Sequence, residues 1–180
     1  MKPYETVKSE TVYKGRIIDV THDLITLPDG REAIREVVVH GGAAAVLPVD
    51  ENGDIIFVRQ YRQPARGLVL EIPAGTLEKN EEPLDCATRE LEEETGLIAG
   101  KITFMFKLFT TIGFCKEVIH IYLAESLREG TRNFDEDEFL TVERHTPSES
   151  KELIRNGGII DGKTISAVLF YTSGLACTGC

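Results

Sequence analysis

The chain has 180 residues, 42% of them hydrophobic, which suits one domain with a core or one domain plus a small appendage. Acidic residues number 30 and basic ones 20, and a formal net charge of −10 excludes a non-specific nucleic-acid binder and would repel a polyphosphate unless cations intervene. The opening MKPYETVKSE is polar, and no apolar run nears the roughly 20 residues that span a membrane, so a cytoplasmic protein is expected.

Residues 5–40 alternate in the manner of strands. Val12, Ile17, Ile18, Val20, Leu24, Ile25 and Leu27 lead to Pro28-Asp29-Gly30, a turn signal, and residues 33–40 read as a further strand. Such a small antiparallel sheet is marginal alone and needs a partner surface. The expected division is an N-terminal sheet over 1–40, a main domain over 41–175 and a tail over 176–180. Residues 42–49 are small and apolar, 50–54 read as a hairpin turn, and 55–62 form the next strand. Arg59, Arg62 and Arg66 cluster there, in a very acidic protein. A solvated strand edge would account for them, but guanidinium forks also match phosphate and carboxylate bidentately. Residues 68–73 lead into Ala74-Gly75, where the backbone can come close to a ligand.

Pro83 suits a first helical turn and Gly96 the left-handed stop after a helix, so residues 83–95 are predicted to form one helix. Glu90, Glu93 and Glu94 stand at i, i+3 and i+4 and share one face. Like charges at that spacing repel. A lone ExxEE would read as a solvated acidic face; the other reading is that the carboxylates hold a hard divalent cation. Cys86 falls on the same helix and is expected to pack inward, as are Leu91 and Leu97. Residues 102–109 and 118–124 read as strands, the second containing His120, with a loop over 110–117 between them. A polar loop over 128–138 precedes a strand at 139–142. Pro147 starts a helix stopped by Asn156-Gly157-Gly158, and residues 163–171 read as a last helix. Four cysteines suggest no disulfide framework. Cys177 and Cys180 form a lone C-x-x-C, short of the four ligands of a structural zinc site, and read as part of a frayed tail.

The residues before the helix decide between the two readings of its acidic face. Gly75, then Glu81 after five residues, then Arg89-Glu90-Leu91 after seven, followed by Glu93-Glu94 and Gly96-Leu97, match the full Nudix box. With nine positions specified, a chance match in ordinary composition is on the order of one in ten million. The chain strongly resembles a Nudix hydrolase. From about Gly15 to about Phe170 it resembles the ADP-ribose pyrophosphatase branch. The segments that carry this are Val58-Arg59-Gln60-Tyr61-Arg62 with Glu71-Ile72-Pro73-Ala74-Gly75, Thr111-Ile112-Gly113-Phe114 with Glu117, and Asp135-Glu136-Asp137-Glu138.

The resemblance implies an α/β/α Nudix sandwich, with a mixed sheet between helices, plus the N-terminal sheet, which in that branch helps to form a homodimer. It implies hydrolysis of ADP-ribose to AMP and ribose 5-phosphate with magnesium, for which manganese can substitute. Glu90, Glu93 and Glu94, with the carbonyl of Ala74, would carry the metal. Arg62, Arg59 and Glu117 would contact the substrate, while Gly75, Glu81, Arg89 and Gly96 would support the box. His22, His40 and His120 fall in strand-like stretches and have no clear claim as the base, which leaves the acidic run at 135–138, with an ordinary solvated turn as the alternative. The resemblance makes Glu136 the base and Glu138 its helper. Ile112 stands where the branch usually carries proline, which bears on the exact substrate. The other readings are hydrolysis of a different nucleoside diphosphate sugar or dinucleotide, and a sensor that binds ADP-ribose without cleaving it. A sensor needs no metal-binding acids, and here all are intact.

Overall fold

Turn chemistry and alternation shape the N-terminal part. In the computed structural model, which describes residues 4–131 and 139–175, strands β1 (Glu5–Lys14), β2 (Ile18–Thr26) and β3 (Glu32–His40) form an antiparallel sheet in that order. Gly30 takes a φ of 89° and its N–H donates to the Leu27 carbonyl at 2.9 Å, closing the expected turn. The β2–β3 register runs unbroken from Ile18↔His40 to Thr26↔Glu32. Every residue of β1 is exposed, including Val7, Val12 and Tyr13. Residues Phe109–Val118 belong to this unit. They lie along β3, where Val38 N–H donates to the Phe114 carbonyl at 2.7 Å and Lys116 N–H donates to the Val38 carbonyl at 2.9 Å.

The second unit spans Ala43–Leu108 and continues from Ile119. Its centre is β4 (Ala43–Pro48), buried at every position. Continuous apolar sequence is what a strand covered on both faces requires. Strand β4 lies in a mixed sheet with β7 (Ala74–Thr76), β8 (Leu97–Phe109) and β9 (Val118–Glu129), ordered β7-β4-β9-β8. It runs parallel to β9 and antiparallel to β7. A second, antiparallel sheet has the order β10-β5-β6, from β5 (Ile55–Arg62), β6 (Gly67–Glu71) and β10 (Leu140–His145). Ala44 and Val46 pack with Cys86, Ala87 and Leu91 of helix α1 (Pro83–Thr95). On the opposite face Ala45 and Leu47 pack with Ile55 and Phe57 of β5 and with Ala167 and Val168 of α3 (Gly162–Thr172). The expected α/β sandwich is therefore present, with α1 on one face of the mixed sheet and the second sheet with α3 on the other. Helix α2 (Pro147–Arg155) starts from a capping box in which Thr146 and Glu149 satisfy each other's backbone N–H. Among the described residues, no helix is long and apolar enough to cross a membrane.

The expected hairpin turn at 50–54 carries one antiparallel bridge, Val49↔Ile55, beyond which its strands do not pair. The turn forms, with Asp50 Oδ1 accepting from Asn52 and Asp54 N–H at 2.9 and 3.0 Å and Gly53 at φ 83°. The strands it joins part into different sheets, because β7 and β9 take the edges of β4 while β6 and β10 take those of β5. Strand β8 also starts earlier than expected, at Leu97, and β9 runs on to Glu129.

Candidate active site

Local signals place the acidic helix. Pro83 stands in the first turn of α1, and Gly96 ends it at φ 72° with its N–H on the Glu92 carbonyl at 2.7 Å. One face of the helix is buried against β4 and the acids border β7. Arg89 gathers two of them together with Glu81, which precedes the helix. Its Nε and Nη2 donate to Glu81 at 2.9 and 3.1 Å, and its Nη1 donates to Glu90 at 2.7 Å and to Glu93 at 2.8 Å. Arg89 pulls the Glu81 carboxyl down to about 2, and those bonds, Glu81's above all, raise the guanidinium's own pKa. Burial pushes the Cys86 thiol up to about 12, so it serves as packing.

Glu94 is 2% exposed, and its Oε2 accepts the Ala74 N–H at 3.1 Å. A β-carbon on the neighbouring Gly75 would stand 1.7 Å from Glu90 Oε1, so the Glu90 carboxylate lies directly against the β7 backbone and any side chain at 75 would displace it. Gly75, Glu81, Arg89 and Gly96, expected as supports, lie at the contacts among the box helix, the residues before it and β7.

Arg62, at the end of β5, donates from Nε and Nη2 to Glu71 at 2.8 and 3.1 Å. Burial alone would raise the Glu71 carboxyl, but Arg62 and Lys163 together hold it below the usual carboxylate range. The Lys163 ammonium donates to Glu71 at 2.6 Å and to Asp161 at 3.1 Å. Asp161 caps α3 by accepting from Thr164 N–H at 3.0 Å, and Thr164 Oγ1 accepts the Ile72 N–H at 2.9 Å. Glu71, Asp161, Lys163 and Thr164 received no role from the sequence. Glu71 carried one signal, an acid inside the apolar run LVLEIP beside the box. Asp161 carried the local signal of a helix N-cap, but the bonds of Lys163 to Glu71 and of Thr164 to Ile72 join residues 92 positions apart and left no signal.

Arg59 is held by Glu143 of β10 at 2.5 and 3.1 Å, which lowers the Glu143 pKa. Glu117 lies in the first unit, where its Oε1 is 3.4 Å from His40 Nδ1 and its N–H reaches Cys115 Sγ at 3.5 Å. His40 Nδ1 accepts the Gly42 N–H at 3.1 Å. His120 is half-buried beside Phe104, and burial lowers its pKa. Glu136 and Glu138, with Cys177 and Cys180, lie outside the described residues. The chain leading to that acidic run is tied to the box helix, since Gly130 N–H donates to the Gly96 carbonyl at 2.7 Å and Thr131 N–H donates to Glu92 at 3.3 Å.

Among the described residues, three acidic, histidine or cysteine side chains do not close on one common point as a finished metal cage. The donor set nevertheless suits a hard divalent cation, because carboxylate oxygens are its preferred ligands. Glu90 and Glu93 already converge on a single positive nitrogen of Arg89, beside the β7 backbone.

A model of the NUDIX domain matches residues 39–167. The chain belongs to the Nudix hydrolases. A model of the nucleoside diphosphate sugar hydrolase N-terminal domain matches residues 4–38 of this Nudix hydrolase. The protein is 42% identical over 168 residues to the ADP-ribose pyrophosphatase of Bacillus subtilis (strain 168), covering 92% of this chain and 91% of the relative. It is 39% identical over 168 residues to the methanol dehydrogenase activator of Bacillus methanolicus, with 92% and 91% covered. A solved structure of an ADP compounds hydrolase shares its fold at a TM-score of 0.85 and 21% identity, over 96% of this chain and 94% of that one. Members of this family generally depend on a divalent metal.

Proposed function

We propose that this Nudix hydrolase cleaves the pyrophosphate of ADP-ribose to AMP and ribose 5-phosphate with magnesium or manganese. The observation that carries the substrate is its similarity, along nearly the whole chain, to a protein named ADP-ribose pyrophosphatase. The reaction class rests on the box and the geometry around it. Glu90, Glu93, Glu94 and the Ala74 carbonyl would hold the cation. When bound, it neutralises pyrophosphate charge and eases formation of hydroxide. Arg62 binds a phosphate through the guanidinium edge turned away from Glu71, and Arg59 adds a second cation partly balanced by Glu143. Glu117 contacts the substrate. Glu136, with Glu138 assisting, takes the proton of a water that attacks phosphorus. The new phosphorus–oxygen bond forms, the bridging bond breaks, and each product leaves with one phosphate.

The same reading has the protein working in the cytoplasm as a homodimer through residues 1–40. Its support is the free thiols of Cys86 and Cys115, which suit a reducing compartment, and a first strand exposed throughout with apolar residues on it. A hydrolysis panel of ADP-ribose, other nucleoside diphosphate sugars and dinucleotides with magnesium, with products identified by mass, tests the proposal. ADP-ribose is expected to give the highest kcat/KM. A clear preference for another diphosphate sugar would replace the substrate and keep the reaction.

A further inference from the structure

We infer that Lys163 is a positioning residue for this pyrophosphatase: from the first turn of α3 it fixes the Glu71 carboxylate, and through it the Arg62 guanidinium that meets the substrate diphosphate. The inference rests on the substrate role proposed for Arg62.

Exposure rises sharply at Arg62. The Lys163 side chain is 10% exposed and Glu71 is 4% exposed, while Arg62 at the outer end is 43% exposed. Lys163 and Arg62 share the Glu71 carboxylate: Lys163 takes Oε2, while Arg62 spans both oxygens with Nε and Nη2. That pairing commits one edge of the planar guanidinium and aims the Nη1 edge away from Glu71. A carboxylate held by Arg62 alone would be free to swing with it. A carboxylate also held by the largely covered Lys163 ammonium is not.

Charge balance leads to the same role. Arg62, Glu71, Lys163 and Asp161 form an alternating chain of two positive and two negative groups. Without Lys163, the Glu71 charge falls wholly on Arg62 and weakens its pull on a phosphate. Such a network is poor value for stability, because desolvating buried ions offsets most of their attraction and apolar side chains would join α3 to β6 as well. The neighbouring residue strengthens the case. Thr164 accepts the Ile72 N–H, so the same turn of α3 also sets the backbone that runs on to Ala74, where Glu94 takes the next inward N–H. One turn of a helix remote from the box in sequence therefore holds both the guanidinium and the backbone proposed to meet substrate and cation.

The test compares wild type, Lys163→Met, Arg62→Ala and the double variant, by ADP-ribose hydrolysis at saturating magnesium and by thermal melting. Lys163→Met is expected to raise KM roughly tenfold with kcat within about twofold, the signature of lost binding common to ground and transition states. Arg62→Ala is expected to raise KM further, and adding Lys163→Met to it should cost nothing more. Lys163→Arg should recover part of the loss. If the methionine variant does not fold, Lys163→Gln carries the same comparison. An unchanged KM in Lys163→Met, or an equal penalty with and without Arg62, overturns the positioning role while wild-type cleavage stands. A wild type that neither cleaves ADP-ribose nor binds its α,β-methylene analogue in calorimetry overturns the substrate reading, and this inference with it.

Discussion

Replacing Gly75 by alanine separates the chemistry of the box from its fold. The added β-carbon would stand 1.7 Å from Oε1 and 2.1 Å from Cδ of Glu90, where ordinary contact begins at 3.4 Å, so the carboxylate must retreat by about 1.7 Å. The displaced oxygen is the one that accepts from Arg89 Nη1 at 2.7 Å, so that bond is broken or re-aimed as well. What moves is the end of a flexible side chain, so the fold should lose only about 1 kcal/mol, the low end for overpacking. That corresponds to a fall in Tm of about 2–4 °C for a chain of this size. Activity is more sensitive, since misplacing a group by about 1 Å can cost a hundredfold. Gly75→Ala is therefore expected to lower turnover about a hundredfold and to raise the half-saturating magnesium concentration. ADP-ribose hydrolysis across a magnesium titration, beside a calorimetric melt, reads both effects. A folded variant with wild-type turnover and unchanged magnesium dependence would show that the position of the Glu90 carboxylate has no bearing on the reaction.

Glu94→Gln keeps an oxygen for the Ala74 N–H but removes a buried charge, so turnover should fall by orders of magnitude with little change in Tm, and chelator should abolish wild-type activity until magnesium or manganese is restored; full activity in chelator would refute the cation's role. The Glu81 carboxyl sits at about 2 when folded against 4.5 ordinarily, so its pairing with Arg89 stabilises the protein above pH 4.5 and that contribution is lost as pH falls from there toward 2. Urea unfolding across that window should show a smaller loss of stability in Glu81→Gln than in wild type, and equal slopes would contradict it. Glu136→Gln should keep ADP-ribose binding yet cut turnover at least about a hundredfold, with a smaller effect from Glu138→Gln; near-normal turnover in both would move the base elsewhere. Sedimentation should show a homodimer at micromolar concentration, and deletion of residues 1–40 should leave an inactive or aggregating protein, whereas a stable wild-type monomer would refute the assembly.

The parts of this molecule legible in its sequence are those governed by neighbours along the chain. Pro83 and Gly96 bracket α1 at the bounds they predict, because caps are local devices. The small apolar run at 42–49 was readable as a strand, and β4 within it is buried at every position. Glu81 and Arg89 pair with each other, as their fixed spacing in the box allows. The division of strands between two sheets was not readable, since the turn at 50–54 looks the same whether its strands pair with each other or with distant partners. The Glu71–Lys163 pair was hidden for the same reason, joining residues 92 positions apart. The acid in LVLEIP hinted that something must neutralise it, but its partners are set by tertiary packing alone.

The described residues on either side of the acidic run are each tied to an element of the site. On one side the backbone at Gly130 and Thr131 is fastened to the C-terminal end of the box helix, and on the other Leu140 sits opposite Gln60, between Arg59 and Arg62 in sequence. At Gly75 the approach to Glu90 is so close that any added β-carbon displaces the carboxylate. Strand β7 and the box helix can therefore change only together: a substitution in one keeps full activity only beside a matching change in the other.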